Sequence, residues 1–228
     1  MRYVNVIKII SSTSRPLMMT STKAAAGALI AIGFAGCSGE PAPAMAVSTY
    51  NYSDNSLFGI KIQAASKKFA VDSAADGGSV LADIADKDVL PNGEEFFFKS
   101  DVCCFVTADR VAFPKIRVVW NVVYDLPRFR RVDKPSYDER LERDAAPGTA
   151  WCTAIIEPRG VMDKQTNKLA LHFLQDGTVI GVVGSDAIDR PLDTEEIASH
   201  SARIKGGKFC NAEIANPWFG QPPKKHME

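Results

Sequence analysis

The chain has 228 residues, 46% of them hydrophobic, with 27 basic and 27 acidic side chains and a formal net charge of zero. That neutrality averages two unlike parts: the first 36 residues carry Arg2, Lys8, Arg15 and Lys23 and no acidic group, so the other 192 hold 23 of the 27 basic residues, all 27 acidic ones and a net charge of −4. A chain of that sign with no long basic stripe is not built to neutralise phosphates, which argues against nucleic acid as a partner, and 192 residues suit one core rather than two.

Residues 1–36 have the order of a secretory leader: a positive n-region, an apolar h-region from Ala24 to Phe34, and small residues before a cut site. The h-region falls short of the about 20 apolar residues that a membrane-spanning helix needs. A start at Met18 or Met19 also leaves a leader of ordinary length. Its last residues, Phe34-Ala35-Gly36-Cys37, resemble the lipobox of bacterial lipoproteins. There the cysteine thiol accepts a diacylglyceryl group, and the amine freed by cleavage takes a further acyl chain. Two or more chains give stable anchoring where one does not. Ser38 stands where an inner-membrane lipoprotein usually carries Asp, so the expected place is the outer membrane, facing the periplasm. Apart from these acyl chains on Cys37, no cofactor is expected.

Residues 37–45 then read as a lipidated tether, partly extended by Pro41 and Pro43, and 46–228 as a single periplasmic domain. Alternating or β-branched runs bounded by turn residues predict strands over Ala46 to Tyr52, Leu57 to Gln63, Glu95 to Val106, Ile116 to Tyr124, Trp151 to Glu157 and Leu169 to Val183. The last breaks into a hairpin at Asp176-Gly177, glycine supplying the positive φ. Ala64 to Asn92, rich in Gly, Ala and Asp, reads as loops with one weak strand at Lys68 to Val71. Helices are predicted over Ser136 to Asp144 and Asp193 to Ile204, the second with Asp193 as cap and Glu196 closing a capping box. The fold class is mainly β, an antiparallel sheet or sandwich with one or two short helices, α+β being the alternative. Three phenylalanines in a row, Phe96 to Phe98, must face both sides of their strand, and burial of both faces is expected.

Setting Cys37 aside leaves Cys103, Cys104, Cys152 and Cys210, an even number in an oxidising compartment. Cys103 and Cys104 point to opposite faces of one strand. A bridge between them would force a strained ring, so one is expected to pair with Cys152 and the other with Cys210; buried free thiols are the alternative. No catalytic set assembles from the spacing. Gly184-Ser185-Asp186 lacks the glycine that closes a nucleophile elbow, and of the three histidines His226 lies in the tail, His200 on a polar helix and His172 in the hairpin strand. His172 with Asp176 reads as a hydrogen-bonded strand histidine beside a turn rather than a base and its orienter. Asp72, Asp76, Gly77 and Asp83 only distantly echo a calcium loop, so no metal is expected.

A binding protein instead needs exposed aromatic and arginine anchors. Tyr124, Arg128, Phe129, Arg130 and Arg131 offer them on a proline-stiffened loop, and Trp218 offers another beside Pro217 and Gly220.

Five stretches, "MAVSTYNYSDNSL", "DVCCFV" followed by "IRVVWNV", "YDERLERDAAPGTAWCTAII" and "LALHFLQDGTVIG", resemble in content and order the landmarks of the DUF3304 family of proteobacterial lipoproteins, from Ala46 to about Gly184. Members of that family resemble immunity proteins against phospholipase effectors delivered by type VI secretion. The resemblance implies a non-enzymatic inhibitor whose partner is a cognate phospholipase effector met in the periplasm. The rival readings are a ligand-binding or structural envelope lipoprotein and, more weakly, a periplasmic hydrolase.

Acylation of Cys37 is tested by labelling cells with a clickable palmitate. The wild type is expected to take the label and Cys37→Ser to lose it; a labelled mutant contradicts the anchor.

Overall fold

Successive residues of a strand turn to opposite faces, and in β1 (Ala44–Asn51) both faces are buried. Met45 and Val47 point into one apolar layer and Tyr50 into another. The computed structural model describes residues 44–81, 85–106, 113–130, 138–185 and 190–222, and of residues 99–101, 103, 104 and 106 the backbone alone. The leader, Cys37, the tether up to residue 43, Met18 and Met19, Asp83, Arg131, Ser136, His226 and the side chains of Cys103 and Cys104 lie outside the described residues, whereas Ala44 and Met45, expected in the tether, already belong to β1.

The other strands are β2 (Ser56–Ala64), β3 (Ala75–Val80), β4 (Asp86–Val89), β5 (Glu95–Val106), β6 (Ile116–Val123), β7 (Thr149–Ile156), β8 (Arg159–Gly160), β9 (Lys168–Phe173), β10 (Val179–Gly184) and β11 (Glu213–Ile214). They form a six-stranded sheet in the order β4-β5-β1-β9-β10-β8 and a five-stranded one in the order β11-β7-β6-β2-β3. The fold is mainly β, as the patterning predicts. Pairing is antiparallel except between β1 and β9 and between β8 and β10, which run parallel. The main core joins the two sheets through Met45, Val47, Ile60, Ile62, Val118, Trp120, Leu169 and Leu171.

A second, smaller layer covers the outer face of the six-stranded sheet. Tyr50, Phe96, Ala170 and Leu174 lie under Leu90, Leu192 and Ile197, the last from helix α2 (Thr194–Ser199). Phe97 turns inward to the main core while Phe96 and Phe98 turn outward beside Tyr50, so the triple phenylalanine is indeed covered on both faces. A bidentate ion pair between Arg159 and Glu196, at 2.8 and 2.6 Å, ties β8 to α2. Those hydrogen bonds from Arg159 hold the Glu196 carboxyl below its ordinary range.

Four local expectations are corrected. Residues 138–144 form turns rather than part of a helix, because their carbonyls are taken by the C-terminal segment. Asn216 Nδ2 donates to Glu139 O and Glu142 O, the Asn216 N–H to Arg143 O, and the Gly220 N–H to Arg140 O. The helix predicted to reach Ile204 stops at Ser199. Asp193 sits at its N-cap without a side-chain hydrogen bond, and Glu196 serves Arg159 instead of a capping box. Lys68 to Val71 is not a strand. β3 and β4 form instead, one glycine-rich and the other exposed throughout. In β3 Gly77 is a packing requirement, since a Cβ there would lie 2.6 Å from Ile60 Cγ2. Finally, the expected loop after β6 contains helix α1 (Leu126–Arg130), capped by Asp125, whose Oδ1 accepts the Arg128 N–H at 2.9 Å.

The cysteine pairing is corrected too. Cys152 on β7 is bonded to Cys210, with Cα atoms 6.1 Å apart and 58 positions between them in sequence, so Cys103 and Cys104 are not its partners. The sequence offers no sign that Cys152 and Cys210 are neighbours; β11 pairing with β7 brings the Cys210 segment against that strand.

Non-reducing peptide mapping is expected to recover Cys152 linked to Cys210. Cys210→Ser should lower unfolding free energy by roughly 2–5 kcal/mol in denaturant titration. A Cys152 peptide linked to Cys103 or Cys104 contradicts the assignment.

Candidate functional site

Strand register defines two ends of the sandwich. At one, Ala44 pairs with Val106, Ala46 with Lys168 and Ala64 with Ile116. At the other, Asn51 pairs with Phe173 and Ser56 with Val123. With about 3.3 Å per strand residue, the eight residues of β1 separate these ends by about 26 Å. The turns after β1, β6 and β9 all lie at the second end, together with the segment that follows α2.

The β9–β10 turn is built as predicted. Leu174 and Thr178 pair across it, and Gly177 has φ +77°. Gly177 is needed twice over, since a Cβ there would also meet Ile204 Cδ1 at 2.6 Å as the C-terminal segment passes. Asp176 does not orient His172. Its Oδ2 lies 2.8 Å from His200 Nδ1, its Oδ1 accepts the Thr178 N–H, and its own N–H donates to His200 O. Burial alone would raise the Asp176 carboxyl, but the hydrogen bonds from His200 and Thr178 hold it below the usual carboxylate range.

His172 is buried in the outer layer, its ring stacked 4.8 Å from that of Tyr50. Its Nδ1 is 3.1 Å from Tyr52 Oη, which also accepts the Leu192 N–H at 3.0 Å. Burial, helped by the nearby Arg159 guanidinium, pushes the imidazole down to about 3. Burial also holds the Tyr52 hydroxyl well above the usual tyrosine value. A tyrosine that keeps its proton beside a neutral imidazole donates to Nδ1, leaving the ring proton on Nε2. The pair ties the outer layer to the start of α2.

The predicted contact residues fall in two places. Tyr124, 42% exposed, stacks flat on Phe209 with ring centroids 3.9 Å apart. Arg128 and Arg130 are exposed on α1, and Phe129 pins that helix by turning onto Phe58 at 5.3 Å. Trp218 lies elsewhere in the packing, half-buried under the Arg140 guanidinium, which sits 6.0 Å from its ring.

Beside the Tyr124 and Phe209 stack, between the ends of the two sheets, opens a cavity of about 260 Å³. Leu57, Trp120, Val122 and Phe173 form its floor; Asp54, Gln175, Arg203 and Lys208 stand at its mouth. Asp54 and Gln175 bond each other twice, at 3.0 Å each, and Arg203 pairs with the same carboxylate. Sequence reasoning passed over Phe209, Lys208, Arg203 and Asp54. The signal that could have found the first two is their position next to Cys210, whose cross-link holds their segment in place.

The His172 environment gives a pH dependence. The folded ring protonates near 3 and an ordinary histidine near 6.5, so between those values the unfolded chain binds the extra proton. Stability therefore falls as pH drops through that window, by up to about 1.4 kcal/mol per pH unit from this group. Chemical denaturation of His172→Phe between pH 6.5 and 4 is expected to show a shallower fall than the wild type; equal slopes contradict the assignment.

No family model, curated protein or solved structure matches the chain.

Proposed function

We propose that this chain is a lipid-anchored immunity protein that binds and blocks a phospholipase effector of type VI secretion in the periplasm. The reading starts from the lipobox at Cys37 and from the ordered resemblance to DUF3304 lipoproteins between Ala46 and about Gly184. The single observation that carries it further is the presentation of Tyr124, Arg128 and Arg130 around one short helix, outward and beside a cavity. Aromatic and arginine side chains of this kind dominate binding energy when they meet a complementary surface. Their backbone is braced here: Asp125 caps the helix, Phe129 anchors it on Phe58, and Phe209 backs Tyr124.

The mode of action is stoichiometric occlusion rather than turnover. Anchoring the inhibitor on the membrane that the effector attacks raises their effective concentration without requiring new contacts.

The test uses a candidate phospholipase effector co-expressed with this chain. Periplasmic expression is expected to rescue cells from it, and the purified protein to abolish lipase activity at about one equivalent, as nanomolar affinity requires. Lipid hydrolysis unaffected by a tenfold excess of this protein contradicts the proposal.

A further inference from the structure

The cavity at the end of the sandwich has the size, lining and charge of a socket for a protein side chain. A cavity of 150 Å³ accepts benzene, whereas pockets for small molecules and cofactors run from about 300 to 1,000 Å³. At about 260 Å³ this one has room for a single phenyl or indole ring and falls short of a phospholipid. Its walls are aromatic where such a ring would lie, with Trp120 and Phe173 edge-on to each other at 5.1 Å and Phe209 at the side.

The mouth carries Arg203 and Lys208 against one carboxylate, Asp54, and Lys208 is exposed and forms no ion pair among the described residues. The carboxylates nearby are already engaged: Asp54 by Arg203 and Gln175, Asp176 by His200, and Asp125 by the α1 backbone. An occupant that complements this rim is acidic.

The chain enters β1 at Ala44, and the cavity lies at the far end of that strand, about 26 Å away. On the anchoring proposed above, the occupant taken for that far end is a protein rather than the lipid surface.

We infer that this cavity receives an aromatic side chain carried on an acidic segment of the protein partner. The inference deepens the immunity reading and rests on it for the partner's identity, while the socket itself is testable alone.

The probe is the peptide acetyl-Asp-Trp-Asp-amide, titrated into the mature protein while the methyl signals of Leu57 and Val122 are followed by NMR. Saturable shifts with millimolar affinity are expected, at least tenfold weaker for the Asp-Ala-Asp and Lys-Trp-Lys peptides. Thr178→Trp, which fills the mouth, should abolish the shifts. Lys208→Glu, a surface change that leaves the fold alone, should weaken binding about tenfold. Lys164→Glu at the opposite end should change nothing. Absence of saturable shifts in the wild type, equal binding of the three peptides, or a folded Thr178→Trp or Lys208→Glu that binds like wild type overturns the inference. The same variants separate it from the immunity reading. If the socket binds the peptide and the wild type does not inhibit the phospholipase, the immunity reading fails alone; if Thr178→Trp inhibits at one equivalent, the socket fails alone.

Discussion

Cross-linking Cys210 to Cys152 fixes a stretch of chain with almost no regular structure of its own, and the open end of the sandwich depends on that tie. From Ser201 to Cys210 the backbone turns and bends without forming a helix or strand. Yet Ile204, Lys208 and Phe209 make one wall of the cavity, Phe209 is the platform for Tyr124, and Ile204 lies against Gly177. By loop-closure entropy, a bridge across 58 positions removes about 4 kcal/mol of freedom from the unfolded chain, a large share of the 5–15 kcal/mol typical of a domain. The two-residue β11 pairing and the bond from the Phe209 N–H to Glu213 Oε1 add direction to what the disulfide holds. A bond of this kind persists in an oxidising compartment, the kind of place that the proposed function assigns to this chain.

Two apolar layers make the frame on which that end is mounted. β1 serves both, so its register with β5 and β9 sets where the main core ends and where the outer aromatic layer begins. Within the outer layer the stack of His172 on Tyr50 and the chain from Leu192 through Tyr52 to Nδ1 satisfy a polar ring in an apolar place. His172 thereby links the sheet to α2, while Arg159 and Glu196 close the same seam from outside. The histidine that looks most like a catalytic residue in the sequence is thus used for packing. The exposed aromatic and arginine side chains of the proposed contact surface gather instead at the strand ends, where turns and a short helix can be shaped without disturbing the ladder.

Much of this frame is legible in the sequence, for physical reasons that also explain the failures. Strands such as Ile116–Val123 are buried on both faces and so rich in β-branched residues that no other element fits them. Asp176-Gly177 marks its turn because only glycine takes φ +77° without strain. By contrast, β4 (Asp-Lys-Asp-Val) carries no strand signal and exists because β5 offers it an edge, and the glycines of β3 look like a loop until the side chain of Ile60 is seen to need their space. The turn at 138–141 has helical composition, yet Asn216 and Gly220 compete successfully for its carbonyls from 70 or more positions away. Of the site, Tyr124, Arg128 and Arg130 could be read as anchors from residue type alone. The cavity could not, because its floor comes from β2, β6 and β9 and its mouth from a C-terminal segment placed by a disulfide whose connectivity spacing does not specify.

On the proposed reading this protein acts by binding a partner through the end of the sandwich far from Ala44. Hydrogen exchange of the protein alone and in complex with a candidate phospholipase effector tests it directly. The account predicts added protection in residues 124–130, 174–178 and 203–209 and unchanged exchange in residues 161–167. Protection confined to 161–167, or no change anywhere in a mixture shown to be complexed, would contradict it.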